Sequence, residues 1–397
     1  MVKNTIRLWL NIAVLMMFSQ QVFGANLAWQ QDSIPFELID NRIFMQIHLN
    51  GQGPFAMVLD TGASNIFDTS LVRRLGLSTS DSGLANGGGA NSVATTSGQV
   101  ALMSFGNVSL SNQKFLAMDL SAMKNAIGFP RLDGFIGYEV FSQYVVEINY
   151  DTKTLSFLDP STYNYQGTGT VVPFEFHGTT PVVHVNLDGI AGLFWLDTGD
   201  RSSMTLTTPF IRRNNLVSVY QPPFEMITGW GVGGALSTYL VRTKNITFAG
   251  ENISNAIVRL PTATTGGMAV DYGIAGTLGN GILKKFNTVV DYKRKRVILE
   301  RNTLYSQPDL ADRSGMWLIQ AGANLQVLDV VKDGPAWQAG LRQGVYITAV
   351  EGKPTASISL PDLRTQLSDP NLQSVKVTIS SPLGGEIVQI NLKNMIP

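Results

Sequence analysis

Through most of the chain, hydrophobic and polar residues alternate in short runs. "FMQIHLN" (44–50), "TLSFL" (154–158), "VVHVNL" (182–187) and "VVDY" (289–292) are such runs, separated by Gly, Asn and Asp. A period of two sends successive side chains to opposite faces, so these segments predict half-buried strands joined by tight turns. Helical patterns are few. "DTSLVRRLGL" (68–77) starts on a capping aspartate and closes on Gly76, and "GYEVFSQY" (137–144) is a second short candidate. The last eighty or so residues differ. There "NLQVLDVVKDGPAWQAGLRQGVYITAVEGKPT" reads strand, Gly-Pro turn, short helix ended by Gly340, strand and tight turn. Next, "SLPDLRTQLSD" predicts a helix capped by Ser359 with Leu360, Leu363 and Leu367 on one face, before two strands, "SVKVTIS" and "EIVQINL".

Two segments break the alternation in the same way. "FAMVLDTGASNIFD" (55–68) and "LFWLDTGDRSSMTL" (193–206) each carry an aspartate at the end of an apolar run, then turn at once through Thr and Gly. An ionised carboxylate is costly to bury without partners, so Asp60 and Asp197 either cap turns or hold prepared chemical positions. Their surroundings repeat as well. "NRIFMQIHLNGQGPFAMVLDTGAS" matches "TTPVVHVNLDGIAGLFWLDTGDR", and "LDGFIGYEVFSQYVVEINYDTKTLSFL" matches "IAGTLGNGILKKFNTVVDYKRKRVILE". A duplication accounts for both. About 80 residues after each DTG comes a second element, Phe135-Ile136-Gly137 in one copy and Thr277-Leu278-Gly279 in the other.

If the halves pack about a pseudo-twofold axis, the DTG turns meet there and bring Asp60 and Asp197 within a few ångströms. Carboxylates so close share one proton and titrate as a pair, which supplies a base and an acid together. The ionised member can take a proton from a water while the protonated member donates to the carbonyl oxygen that the water attacks, and a tetrahedral diol results. The symmetry leaves open which aspartate carries the proton. Gly62 and Gly199 allow the backbone to turn closely and offer N–H groups to the carboxylates. Gly137 and Gly279 would let a chain pass close beneath each loop. The Gly-rich stretches "ANGGGANS" (85–92) and "TGWGVGGALS" (228–237) occupy matching places between each DTG and its later glycine. They suit mobile flaps, with Gly87, Gly88, Gly89, Trp230, Gly231 and Gly233 as candidate substrate contacts.

Two DTG copies, each after an apolar strand and each followed by the later glycine element, resemble the pepsin and retropepsin family of aspartic proteases over about 270 residues. The resemblance implies an all-β, bilobed acid-protease fold of two retropepsin-like barrels, with Asp60 and Asp197 catalytic. It further implies that Thr61 and Thr198 hydrogen-bond across the axis. Pepsin-like enzymes carry Ser or Thr after DTG, whereas this chain has Ala63, as retropepsins do, and Asp200. Without those hydroxyls the dyad should work above strongly acidic pH, at roughly pH 4 to 7. Asp200 either raises it further by like-charge repulsion or turns away to pair with Arg201. The C-terminal segment resembles a PDZ domain, a small α+β unit, most clearly in "DGPAWQAGLRQGVYITAVEGKP". That resemblance implies a peptide adding as a strand near Gly315, its carboxylate held by backbone N–H groups of Gly315-Met316-Trp317-Leu318, although a docking or packing unit is the plainer reading.

Composition narrows the remaining choices. Charged residues make up 15%, with Lys+Arg and Asp+Glu both 29, which argues against a nucleic-acid surface. With no cysteine, disulfides, thiolate sites and a cysteine nucleophile are excluded; there are 3 histidines and no HExxH, so no metal is implied, nor any organic cofactor. Alternation puts His48 and His184 on the polar side of their strands, and "KRKR" (293–296) reads as a solvated hairpin. Lys3 and Arg7 precede the apolar "LWLNIAVLMMF", an export signal with cleavage expected after Gly24. Periplasmic or secreted location follows, with membrane attachment only if the signal stays uncleaved. The expected domains are a signal at 1–24, lobes at 25–160 and 165–303, and the PDZ-like unit at 312–397. "LAWQQDSIPFELID" is either an occluding arm or a first strand. One chain supplies both aspartates, so the resemblance implies a monomer acting on a polypeptide. Two alternatives stand beside it: an inactive peptide-binding scaffold, and a two-carboxylate glycosidase, which would give no reason for the later glycine element.

Overall fold

The structure is a computed structural model and describes residues 33–262, 267, 270–381 and 384–396. The expected signal at 1–24 lies outside the described residues. Of the stretch that follows it, Ile34–Pro35 and Glu37–Ile39 are strands.

The first repeat makes an eight-stranded sheet, and a pairing of Arg42–Leu49 with Val93–Phe105 curls it upon itself. The second repeat makes a ten-stranded sheet of the same plan. In each, the DTG-bearing strand runs parallel to the strand of the later glycine element. Gln52–Leu59 lies beside Leu132–Ile136 with Val58 opposite Phe135, and Ile190–Asp197 lies beside Gly276–Gly279 with Leu196 opposite Leu278. This placement explains the unbroken apolar run before Asp60. Phe55, Met57 and Leu59 face the large core, while Ala56 and Val58 face a second cluster containing Phe44, Phe129 and Phe135, so both sides of the strand are covered.

A third sheet joins the repeats. Its order is Ile34–Pro35, Thr154–Leu158, Val145–Asn149, Phe286–Asp291, Arg296–Arg301 and Thr170–Pro173, three strands from each half. The seam pairs Val146 with Val290 and Ile148 with Thr288. Tyr292, one residue beyond the seam strand, is packed by Phe141, Phe174 and Phe176, with ring centroids 5.3, 5.6 and 5.1 Å away. The two halves therefore share one continuous core.

The short helix Thr69–Arg74 forms where the capping pattern places it, with Asp68 accepting from Ser70 N–H at 2.6 Å. Ser121–Ile127, which the alternation does not announce, is a helix ended by Gly128 in the left-handed region. The C-terminal unit has its own core and a sheet in the order Met316–Ala321, Asn324–Val330, Tyr346–Val350, Ser374–Ser381 and Gly384–Asn391. Its helix Leu360–Ser368 is capped by Ser359 and buries Leu360, Leu363 and Leu367. The unit is docked on the rest. Arg364 donates to Ala126 O (2.5 Å), Ile127 O (3.1 Å) and Leu318 O (2.9 Å), and Asp329 accepts from Ile227 N–H at 2.7 Å.

Candidate active site

Asp60 and Asp197 end their strands and meet at the junction of the repeats, where each carboxyl group acts directly on the other. A β-carbon added to Gly62 would stand 2.9 Å from the Asp197 carboxyl carbon, and one added to Gly199 would strike the Asp60 carboxyl, so only glycine lets each loop close on the opposite aspartate. Gly62 N–H donates to Asp60 Oδ1 (2.7 Å); Gly199 and Asp200 N–H donate to Asp197 Oδ1 (2.8 and 3.0 Å). Burial pushes both carboxyl groups above the ordinary range. Asp197 is pushed well above it, because the charges of Asp60 and Asp200 add to its desolvation.

Beneath the dyad, Thr61 Oγ1 donates to Leu196 O (2.6 Å) and accepts from Thr198 N–H (3.0 Å). In mirror image, Thr198 Oγ1 donates to Leu59 O (2.8 Å) and accepts from Thr61 N–H (3.1 Å). The later glycines complete the support. Tyr138 N–H, next after Gly137, donates to Ala63 O (2.8 Å), and Asn280 N–H, next after Gly279, donates to Asp200 O (2.7 Å). Side chains on either glycine would collide with those same loops. Tyr292 Oη donates to Thr61 O at 3.2 Å, tying the shared sheet to the first loop.

Of the two readings of Asp200, the pairing with Arg201 is corrected. Asp200 Oδ1 lies 3.3 Å from Arg259 Nη1, and its carboxylate also accepts from Ser202 and Thr205, whereas Arg201 binds Asp40 at 2.6 Å. Burial alone would raise Asp200, but the Arg259 charge and these hydrogen bonds outweigh it and keep the group ionised. The like-charge effect on the dyad is therefore present while the charge itself is paired. Asp40 sits likewise among Arg201, Arg42 and Arg364, which overcome its burial and hold it at about 2. Arg42 also donates through Nε to Gly199 O at 3.1 Å.

A cleft of about 330 Å³ opens over the dyad, lined by Asp60, Asp197, Gly87, Gly88, Trp230 and Gly231 among others. Two hairpins cross it and touch. Gly89 N–H donates to Val232 O (2.8 Å) and Asn91 N–H to Gly233 O (3.1 Å). Gly89 and Gly233 thus lie in the contact between the tips and do not line the cleft. A side chain on either would run into the facing backbone.

Residues 45–140 match a family model described as aspartyl protease. That span holds the first DTG, Gly137 and the first hairpin tip. No curated protein matches the chain. Among solved structures, an aspartic proteinase from Irpex lacteus is similar at 13% identity and a TM-score of 0.43, covering 69% of this chain and 98% of that one.

Two of the four N–H groups expected to hold a peptide carboxylate, those of Gly315 and Met316, have partners within the chain. Gly315 N–H donates to Asp312 Oδ1 (2.9 Å), Met316 N–H to Ser314 Oγ (3.3 Å), and Met316, Trp317 and Leu318 are buried. The corner at Ala126–Gly128 covers part of the edge beside Met316–Ala321, held by Arg364. Several residues bearing on the site carried no readable signal in the sequence. Asp40, Arg42, Arg259, Tyr292 and Asn65, whose Oδ1 accepts from Gly137 N–H at 3.1 Å, stand far from either DTG or lack a motif of their own. For Asn65, a polar residue directly inside the apolar "NIF" was the one available hint.

Proposed function

We propose that this chain is an aspartic endopeptidase that hydrolyses peptide bonds of exported polypeptides with a water activated between Asp60 and Asp197. The observation that carries the reading is the juxtaposed pair of buried carboxyl groups, each fed by N–H donors of its own loop, in a cleft roofed by two hairpins. Burial and mutual repulsion favour one proton on the pair. The ionised oxygen then removes a proton from water as the oxygen of that water bonds to the peptide carbonyl carbon, and the protonated carboxyl donates to the carbonyl oxygen. Collapse of the diol breaks the C–N bond, with the proton passing to the leaving amine. The Thr61–Thr198 bonds keep the carboxylates in register, and the hairpins exclude water and grip extended chain.

Export, as the N-terminal segment suggests, would place the enzyme in a periplasm or outside the cell, working as a monomer. We further propose that the C-terminal unit is PDZ-like and positions polypeptide. A peptide at the Met316–Ala321 edge has to displace the Ala126–Gly128 corner first. The test is incubation of wild type and Asp60→Asn with an unfolded polypeptide. Cleavage by wild type alone, blocked by a statine-type inhibitor, is expected. Binding without cleavage by either protein would establish a scaffold instead.

A further inference from the structure

The strand register lets the two sides of the cleft be compared position by position. In the first repeat Ile66 is opposite Leu116 in one neighbouring strand and Phe135 in the other. In the second, Thr205 holds the equivalent place, opposite Arg259 and Thr277. All six residues line the cleft that contains the dyad. Duplication therefore produced two equivalent walls, and they have opposite chemistry: Ile, Leu and Phe on one side, Thr, Arg and Thr on the other.

The polar wall is built rigidly. Arg259 is buried, its Nη2 donates to Thr228 O at 2.6 Å and its Nη1 faces Asp200 Oδ1 at 3.3 Å. A guanidinium has five N–H groups, and these two contacts leave others for a ligand. Among the described residues, the Thr277 hydroxyl makes no hydrogen bond. An apolar side chain pressed on this wall would strip water from donors and return no acceptor, which a site of this kind penalises heavily. The apolar wall applies the reverse selection, since it offers a polar group no partner.

We propose that the Thr205–Arg259–Thr277 wall is a subsite for a side chain with a carbonyl or carboxylate oxygen, so that the enzyme cleaves between an apolar residue and Asn, Gln, Asp or Glu. Arg259 and Thr277 are the specificity-determining residues. The inference rests on the peptidase reading above. Asp200 already balances the charge of Arg259, so amide and acid side chains share the chemistry, and paired substrates separate them.

The test is digestion of a diverse peptide mixture by wild type, with cleavage sites read by mass spectrometry. This is followed by kcat/KM on synthetic peptides that differ only by Asn, Asp or Leu at the selected position. Acceptor-bearing residues should be enriched at one flanking position and apolar residues at the other, with Asn or Asp preferred over Leu by about tenfold or more. Because Arg259→Met strands Asp200 and risks misfolding, Arg259→Lys and Thr277→Val serve as variants. Each should cut the ratio of kcat/KM for the Asn or Asp peptide to that for the Leu peptide severalfold. Equal cleavage with apolar residues on both sides, or variants that keep the wild-type preference, would overturn the assignment. Absence of cleavage of every peptide would remove the peptidase reading and this inference with it.

Discussion

Replacing Thr61 with valine keeps the side-chain shape and deletes one hydroxyl. That hydroxyl serves Leu196 O at 2.6 Å and Thr198 N–H at 3.0 Å, and both threonines are only 1% exposed. Water cannot reach in to replace it, so each orphaned backbone group costs about 1–3 kcal/mol and the pair about 2–6 kcal/mol. Relaxation of the loops should keep Thr61→Val in the lower part, at about 2–4 kcal/mol. Thr198→Val removes the mirror pair and should match it. The double variant should lose less than the sum, because all four bonds cross between the same two loops. Urea unfolding with an unchanged slope reads the stability, and kcat on a fixed peptide reads the geometry, where a displacement near 1 Å can cost about a hundredfold. A stability loss under about 0.5 kcal/mol with unaltered turnover would refute the claim that this buried grip positions the dyad.

The other expectations rest on charge. Asp200→Asn removes a negative charge that raises both Asp60 and Asp197 and leaves Arg259 unpaired, so on the proposed function both limbs of the pH–kcat/KM profile should move to lower pH; an unmoved profile would contradict the placement of Asp200. Asp40→Asn strands three guanidiniums in a buried place and should cost about 3–5 kcal/mol in urea melts at pH 7. Asp40 is held at about 2 against an ordinary 3.8, so its contribution is present in full above about pH 4 and disappears as pH falls through 2. The penalty of the variant should shrink over that same window. Arg364→Ala should loosen the C-terminal unit from the Ala126–Gly128 corner, read as faster limited proteolysis within 302–315 and as tighter binding of peptides to the exposed Met316–Ala321 edge.

What the chain discloses by itself follows from range. The strand at 42–49, the Asp68 cap and the helix at 360–368 arise from local periodicity and local hydrogen bonds, so short windows were enough to find them. The meeting of Asp60 with Asp197 was legible because duplication writes the same signal twice and symmetry supplies the contact. The shared sheet was not legible. Val146 and Val290 pair across about half the length of the two repeats, and nothing in either strand specifies that partner. The same holds for the ionic cluster, whose members Asp40, Arg42, Arg201, Arg259 and Arg364 come from separate segments. Pairing Asp200 with Arg201 was one of the two readings that adjacency left open. In the fold Arg201 is taken by Asp40, and the Asp200 carboxylate meets Arg259 from a distant strand instead.

The measurement that bears most directly on the account is cleavage of a defined peptide in ¹⁸O-labelled water with a strong amine nucleophile present, by wild type, Asp60→Asn and Asp197→Asn. Direct attack by water between two carboxyl groups predicts one ¹⁸O in the new carboxyl terminus, no product acylated on the added amine, and no turnover by either variant. Trapping of an acyl product, or full activity in either aspartate variant, would contradict it.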